Sequence, residues 1–98
     1  MAFSFSGEVW IYSGEGAWYF VTMPLELADE IQARTAGIRR GFGSVRVKAT
    51  IGNSTWATSL FRESKSGSYI LPLKKEIRLK EKFGDGEIVK VQFTLADF

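Results

Sequence analysis

The sequence of 98 residues contains neither cysteine nor histidine. The absence of cysteine excludes disulfides, thiolate nucleophiles and metal sites built on sulfur. The absence of histidine removes the side chain that most often transfers protons near neutral pH and most often binds transition metals. Most familiar enzyme chemistries are thereby excluded. We predict a protein that is not an enzyme, with no catalytic residue, no metal and no cofactor.

Long apolar runs are also missing, because no stretch approaches the roughly 18 residues of a membrane span. The first six residues carry no basic charge ahead of an apolar segment, unlike a secretory signal. We therefore expect no membrane association and a cytoplasmic location. With 45% hydrophobic residues, a chain of this length suffices for one globular domain, and we take residues 1–98 as that domain.

Alternation of apolar and polar residues predicts that the chain is mostly β. The clearest case is residues 45–51, where Val45, Val47 and Ile51 alternate with polar side chains. The predicted strands are residues 3–12, 18–22, 45–51, 55–61, 69–71 and 87–95, and two short helices are predicted, one from Pro24 to near Gly37 and one over 74–82. Six short strands with two hairpins favour a small, mostly antiparallel β-barrel, because closure removes exposed strand edges.

A weak internal repeat links the two halves of the chain. Residues 22–25 and 70–73 both run from a predicted strand through a proline towards a helix, and Pro24 and Pro72 are forty-eight residues apart. This spacing favours two similar strand–helix units arranged with approximate twofold symmetry. The alternative is that proline simply recurs where helices begin.

The net charge is small but unevenly distributed. The chain carries +2 at pH 7, yet residues 34–82 contain twelve of the thirteen lysines and arginines and three of the eleven acids, which gives +9. The remaining residues carry −7. Such segregation is typical of a surface for anions, but it also arises when two oppositely charged segments fold against each other.

Nine basic residues form the candidate anion or nucleic-acid surface. Arg46 and Lys48 are two apart on a predicted strand, so their side chains share a face about 7 Å apart. The full candidate set is Arg39, Arg40, Arg46, Lys48, Arg62, Lys65, Lys74, Lys75 and Arg78. The alternative is that these cations are scattered, or that each one pairs with an acid.

The three tryptophans are expected in the core rather than in contact with a ligand. Trp10 and Trp18 lie on predicted strands near the start of the chain. Trp56 shares one face of its strand with Thr58 and Leu60, and we expect this face to fill the barrel interior.

Several runs of the sequence resemble a known bacterial family. They are residues 18–24, 39–47, 51–52, 56–61 and 69–74, Arg78 and residues 84–86. In their order and spacing, over nearly the whole chain, these runs resemble the domain of unknown function 1905. The resemblance implies a double-split β-barrel, a fold shared with AbrB-like DNA-binding swapped-hairpin proteins. It implies no activity, because none is assigned to the family.

Two functional hypotheses remain. The first is a non-enzymatic binding or protein-interaction module, which docks a protein partner or a second copy of itself through a strand edge or an apolar patch. The alternative is nucleic-acid or anion binding through the basic segment, residues 34–82. The sequence identifies no pair of nucleophile and base that would support an enzyme.

Overall fold

Six antiparallel strands and two helices form this protein, in a computed structural model that describes residues 2–14, 16–37 and 43–96. The elements are β1 (Ala2–Tyr12), β2 (Trp18–Thr22), α1 (Leu25–Arg34), β3 (Val45–Ile51), β4 (Ser54–Glu63), β5 (Ser68–Pro72), α2 (Lys75–Glu81) and β6 (Ile88–Leu95). The strands close into a barrel in the order β1-β2-β5-β4-β3-β6. The predicted mostly β fold, a closed barrel of six strands with two short helices, is confirmed.

The long strand β1 changes partner along its length. Residues 2–8 pair with β6, and residues 9–12 pair with β2. Gly7 lies beside this change, and a Cβ on Gly7 would lie 2.7 Å from Val21 Cγ2. Because carbon atoms do not approach so closely, glycine here allows β2 to pack directly against β1.

The long strand β4 changes partner in the same way. Residues 54–60 pair with β3, and residues 61–63 pair with β5. The barrel therefore consists of two sheets. We call sheet A the sheet formed by β3, β6 and the first parts of β1 and β4, and sheet B the sheet formed by β2, β5 and the last parts of β1 and β4.

The pairing pattern has approximate twofold symmetry. The chain contains two β-β-α-β units, and each unit contributes one strand to each pairing across the symmetry axis, β2 with β5 and β3 with β6. The Met23 amide donates to the Tyr69 carbonyl at 2.9 Å, and the Leu73 amide donates to the Tyr19 carbonyl at 2.8 Å. These equivalent bonds are fifty residues apart along the chain.

The predicted repeat is thus present, but the two prolines are not equivalent. Pro24 precedes α1, whereas Pro72 is the last residue of β5. The match between the two proline-containing runs is therefore displaced by two residues from the structural repeat.

The interior is filled by alternate side chains from all six strands. Phe93 stacks on Phe3, with ring centroids 5.3 Å apart, and meets Phe5 edge-on. The helices add Ile31 and Ile77 to the same hydrophobic cluster. Burial of such apolar side chains is the main stabilising term of a domain of this size.

Both helices end before the predicted residue. The α1 helix ends at Arg34, and the buried Thr35 that follows it donates both its amide and its hydroxyl to the Ile31 carbonyl, the hydroxyl at 2.7 Å. The α2 helix ends at Glu81, and Lys82, which follows it, takes the left-handed conformation, with φ of 58°. Neither helix in the described residues has the length and hydrophobicity that crossing a bilayer requires.

Candidate functional site

The outer surface of sheet B is aromatic. On β1, β2 and β5 the buried residues Val9, Val21 and Leu71 point into the barrel, so their neighbours along each strand point outwards. We call the outward set the aromatic face; it consists of Trp10, Tyr12, Trp18, Phe20, Phe61, Ile70 and Pro72.

Three rings of this face are open to solvent. Trp18 is 57% exposed, Tyr12 is 54% exposed and Phe61 is 42% exposed. Behind them, the Trp10 indole N–H donates to Thr22 Oγ1 at 2.8 Å, and the Trp10 ring lies 5.1 Å from the Phe20 ring. The aromatic face therefore has an ordered, half-buried base and an exposed outer layer.

Three adjoining depressions cross this face and form one groove. They have volumes of about 600, 440 and 310 Å³, and Trp18 lines all of them. The first depression reaches α2, and the third reaches Tyr12 and Glu63. We call the three together the aromatic groove.

Cations line the end of the groove next to α2. Lys74, Lys75 and Arg78 border the first depression, and Arg46 borders the second. The Arg78 guanidinium carbon lies 3.6 Å from the centre of the Tyr19 ring, and its Nε donates to the Leu73 carbonyl. Arg78 is thereby fixed in position, with its charge held against an aromatic ring.

The other basic residues of the candidate set lie elsewhere. Lys48 is on the outer surface of sheet A, between Ala57 and Thr94. Arg62 donates to the Gly67 carbonyl and faces the Tyr69 ring. Lys65 is in the turn between β4 and β5, and Arg39 and Arg40 lie outside the described residues. Four of the nine candidates thus border one groove.

The tryptophans do not all behave as predicted. Trp56 is 8% exposed and lies in the core, which confirms the prediction for that residue. The prediction is wrong for Trp18, which lies at the centre of the groove, and Trp10 is half-buried. On β2, the residues on both sides of the strand are apolar or aromatic, so alternation alone does not reveal which side faces outwards.

The groove changes charge along its length. Glu63 lines the end beyond the rings, Arg46 borders the second depression, and Lys74, Lys75 and Arg78 line the end next to α2. Within residues 2–14, 16–37 and 43–96, no three acidic side chains group closely enough to hold a metal ion. The chemistry that the groove presents is therefore that of flat rings, fixed positive charge and one carboxylate.

Comparison with known families matches this chain to a family model described as a domain of unknown function, DUF1905, over residues 5–93. The chain belongs to the DUF1905 family. The family predicted from the sequence runs is thus confirmed. The match extends from β1 to β6, so the groove-lining residues from Trp10 to Arg78 all lie within the DUF1905 region. No curated protein matches the chain.

Proposed function

We propose that this DUF1905 protein is a non-enzymatic binding module, which uses the aromatic groove to hold ligands that combine a flat ring with negative charge. The observation that carries the proposal is Trp18, a tryptophan more than half exposed at the centre of a groove with cations at one end. We assign no catalytic step to the groove. The cytoplasm is the location that we expect for this module.

The exposed rings favour binding over a purely structural role. An aromatic side chain presents 150–250 Å² of surface, and burying apolar surface is worth roughly 25 cal/mol per Å². Trp18, Tyr12 and Phe61 leave much of this stabilisation unused in the isolated protein. Contiguous apolar patches of this kind mark sites of interaction in soluble proteins.

The cations favour an anionic ligand. Lys74 and Lys75 are exposed at the groove edge, and neither has a carboxylate within 4 Å among the described residues. Arg78 is held in place by Tyr19 and the Leu73 carbonyl. A ligand with an acidic group at one end of its ring system would meet this charge while its ring packs on Trp18.

The test uses 1-anilinonaphthalene-8-sulfonate, an anion with a flat naphthalene ring, in a fluorescence titration. We expect one saturable site, with an affinity about fivefold lower in Trp18→Ala, because one ring–ring contact is lost. The double variant Lys74→Ala/Lys75→Ala weakens binding as well. The control is Ile88→Ala, because Ile88 is a 67% exposed apolar residue outside the groove.

Equal dye binding by all four proteins would contradict the proposal, as would the absence of saturable binding. Thermal unfolding followed by circular dichroism accompanies each titration. It ensures that a lost signal reports the groove and not a misfolded variant.

A protein partner or a second copy of this chain is the other candidate, and the exposed apolar rings of sheet B favour it. Light scattering over a concentration series tests the second copy. A mass that stays at 11.0 kDa would exclude a homo-oligomer, whereas a dimer that Trp18→Ala dissociates would support it.

A further inference from the structure

We infer that the ligand of the aromatic groove is a single-stranded nucleic acid, whose bases stack on the exposed rings and whose phosphates meet the cations at the α2 end. The inference rests on the proposed function and narrows it to one class of ligand. It depends on three observations: the arrangement of the rings, the position of the cations, and the separation of the remaining basic residues.

The exposed rings are spaced as a stacking platform. Tyr12 and Trp18 are directly paired on β1 and β2, and Phe61 is on β4 at the far side of β5. Strands lie about 4.8 Å apart, so the platform from β1 to β4 is about 14 Å wide. Aromatic side chains of this kind hold unpaired bases without requiring a particular sequence, because every base has a flat face.

The cations lie beside the platform and not within it. Lys74, Lys75 and Arg78 are at the α2 end, next to Trp18. A strand whose bases cover the rings would place its phosphates along this border. Glu63 is at the opposite end, away from the phosphates, where its carboxylate can accept hydrogen bonds from the amino groups of bases.

A double helix fits this surface less well than a single strand. In a duplex the bases already stack on one another, so the exposed rings of the groove gain no partner. A duplex also requires phosphate contacts over a broad face, whereas Lys48 lines none of the three depressions and Arg62 donates to the Gly67 carbonyl. Four cations line the groove, and this number suits contact with a few phosphates.

The experiment measures fluorescence anisotropy with a 5′-fluorescein thymidine oligomer of about 12 nucleotides, a length within the range of known single-strand sites. A uridine oligomer distinguishes RNA from DNA, and a duplex of equal length is the comparison. We expect binding of the single strands at low salt and a duplex affinity about tenfold weaker. The slope of log K against log salt concentration should be about −3 for four phosphate contacts.

Variants of exposed residues test the two halves of the groove separately. Trp18→Ala should lower the affinity at least about fivefold, and Trp18→Phe should retain most of it, because a ring remains for stacking. Lys74→Ala/Lys75→Ala should reduce the salt slope to about −1.4. Ile88→Ala should bind like the unmodified protein, and circular dichroism confirms the fold of each variant.

Several results would overturn the inference. They are absence of oligomer binding at low salt, duplex binding as tight as single-strand binding, and affinity unchanged by Trp18→Ala. Self-association that depends on Trp18, without oligomer binding, would assign the face to a second copy. If the dye binds and the oligomers do not, the inference fails and the proposed function stands; if neither binds, both fail.

Discussion

Sheet A and sheet B enclose one hydrophobic core but present different outer surfaces to solvent. Outside sheet A the chain places mainly polar and charged residues, together with the exposed Ile88, and outside sheet B it places the aromatic face. The polar and charged residues of sheet A include Ser4, Ser6, Arg46, Lys48, Thr55, Lys90, Gln92 and Thr94. The inner surfaces of both sheets are lined by hydrophobic side chains that pack in the same core. The outer surface of sheet A is largely polar, as expected of a solvated face, whereas the outer rings of sheet B form the surface that we propose binds a ligand.

The difference between the faces develops within single strands. On β1, Ser4 and Ser6 precede Gly7, and Trp10 and Tyr12 follow it. On β4, polar and small outward residues lead to Phe61. In both cases the outer surface changes character near the point where the strand passes from one sheet to the other. A partner change in the backbone thus coincides with a change in surface chemistry.

Removing a ring from the shared core should have the largest effect. Phe93→Ala deletes a 2% exposed ring that packs on Phe3 and Phe5, and such deletions cost about 4 kcal/mol. Urea unfolding followed by fluorescence measures the loss. The matched variant on the outer surface of sheet B, Phe61→Ala, should cost less than about 1 kcal/mol. Equal losses would show that the ring of Phe61 also supports the fold.

Gly7→Ala should have the next largest effect, because it acts where the two sheets divide. The added Cβ would crowd the buried Val21 side chain and approach the Thr22 carbonyl, so we expect a loss of about 2 kcal/mol in unfolding free energy. Gly84→Ala is the control, since no atom lies within 4 Å of the corresponding Cβ. A neutral Gly7→Ala would mean that β2 moves aside without cost.

Tyr69→Phe should change the core beneath sheet B and raise the stability of the fold. The Tyr69 hydroxyl is buried and has no hydrogen-bond partner in the described part of the chain. Because a buried polar group without a partner is unfavourable, its removal should raise the unfolding free energy by about 1 kcal/mol. The exposed Tyr12→Phe is the control and should change nothing measurable. A destabilised Tyr69→Phe would indicate that the hydroxyl does have a partner in solution.

Lys48→Ala should have the smallest effect, because Lys48 is an exposed cation on the outer surface of sheet A. We expect a change in unfolding free energy within about 0.5 kcal/mol and an oligonucleotide salt slope equal to that of the unmodified protein. Lys75→Ala, which removes one cation from the groove, should reduce the magnitude of that slope by about 0.7. If the two variants had the same salt slope, the cations of the groove would not differ from those on the outer surface of sheet A in binding phosphates.

The elements of the barrel are largely predictable from the sequence because one side of most strands is polar. In β3, the alternation of Val45, Val47 and Ile51 with polar residues specifies both the strand and its inner side, and the structure agrees. The Glu30–Arg34 pair on α1 likewise follows from helical spacing and forms at 2.9 Å. Periodicity does not specify the residue at which a helix ends, and both helices end before the predicted residue.

The groove is not predictable in this way. Residues 18–21 of β2 are apolar or aromatic on both sides, so periodicity leaves open whether Trp18 or Tyr19 faces the interior. The cations that border the groove come from β3 and from the region of α2, which are distant in sequence and are joined only by the closed sheet. Equally, the sequence does not show that Lys48 is on the outer surface of sheet A while Lys74 borders the groove.

The pairing of β1 with β6 has a consequence for synthesis of the protein. Seven residue pairs join these strands, and the partners lie at opposite ends of the folded chain. A growing polypeptide therefore cannot close the barrel until β6 has left the ribosome, and contacts so far apart in sequence form slowly. Until then, the seven residues of β1 that pair with β6 keep an open edge, on which a strand of another chain could pair.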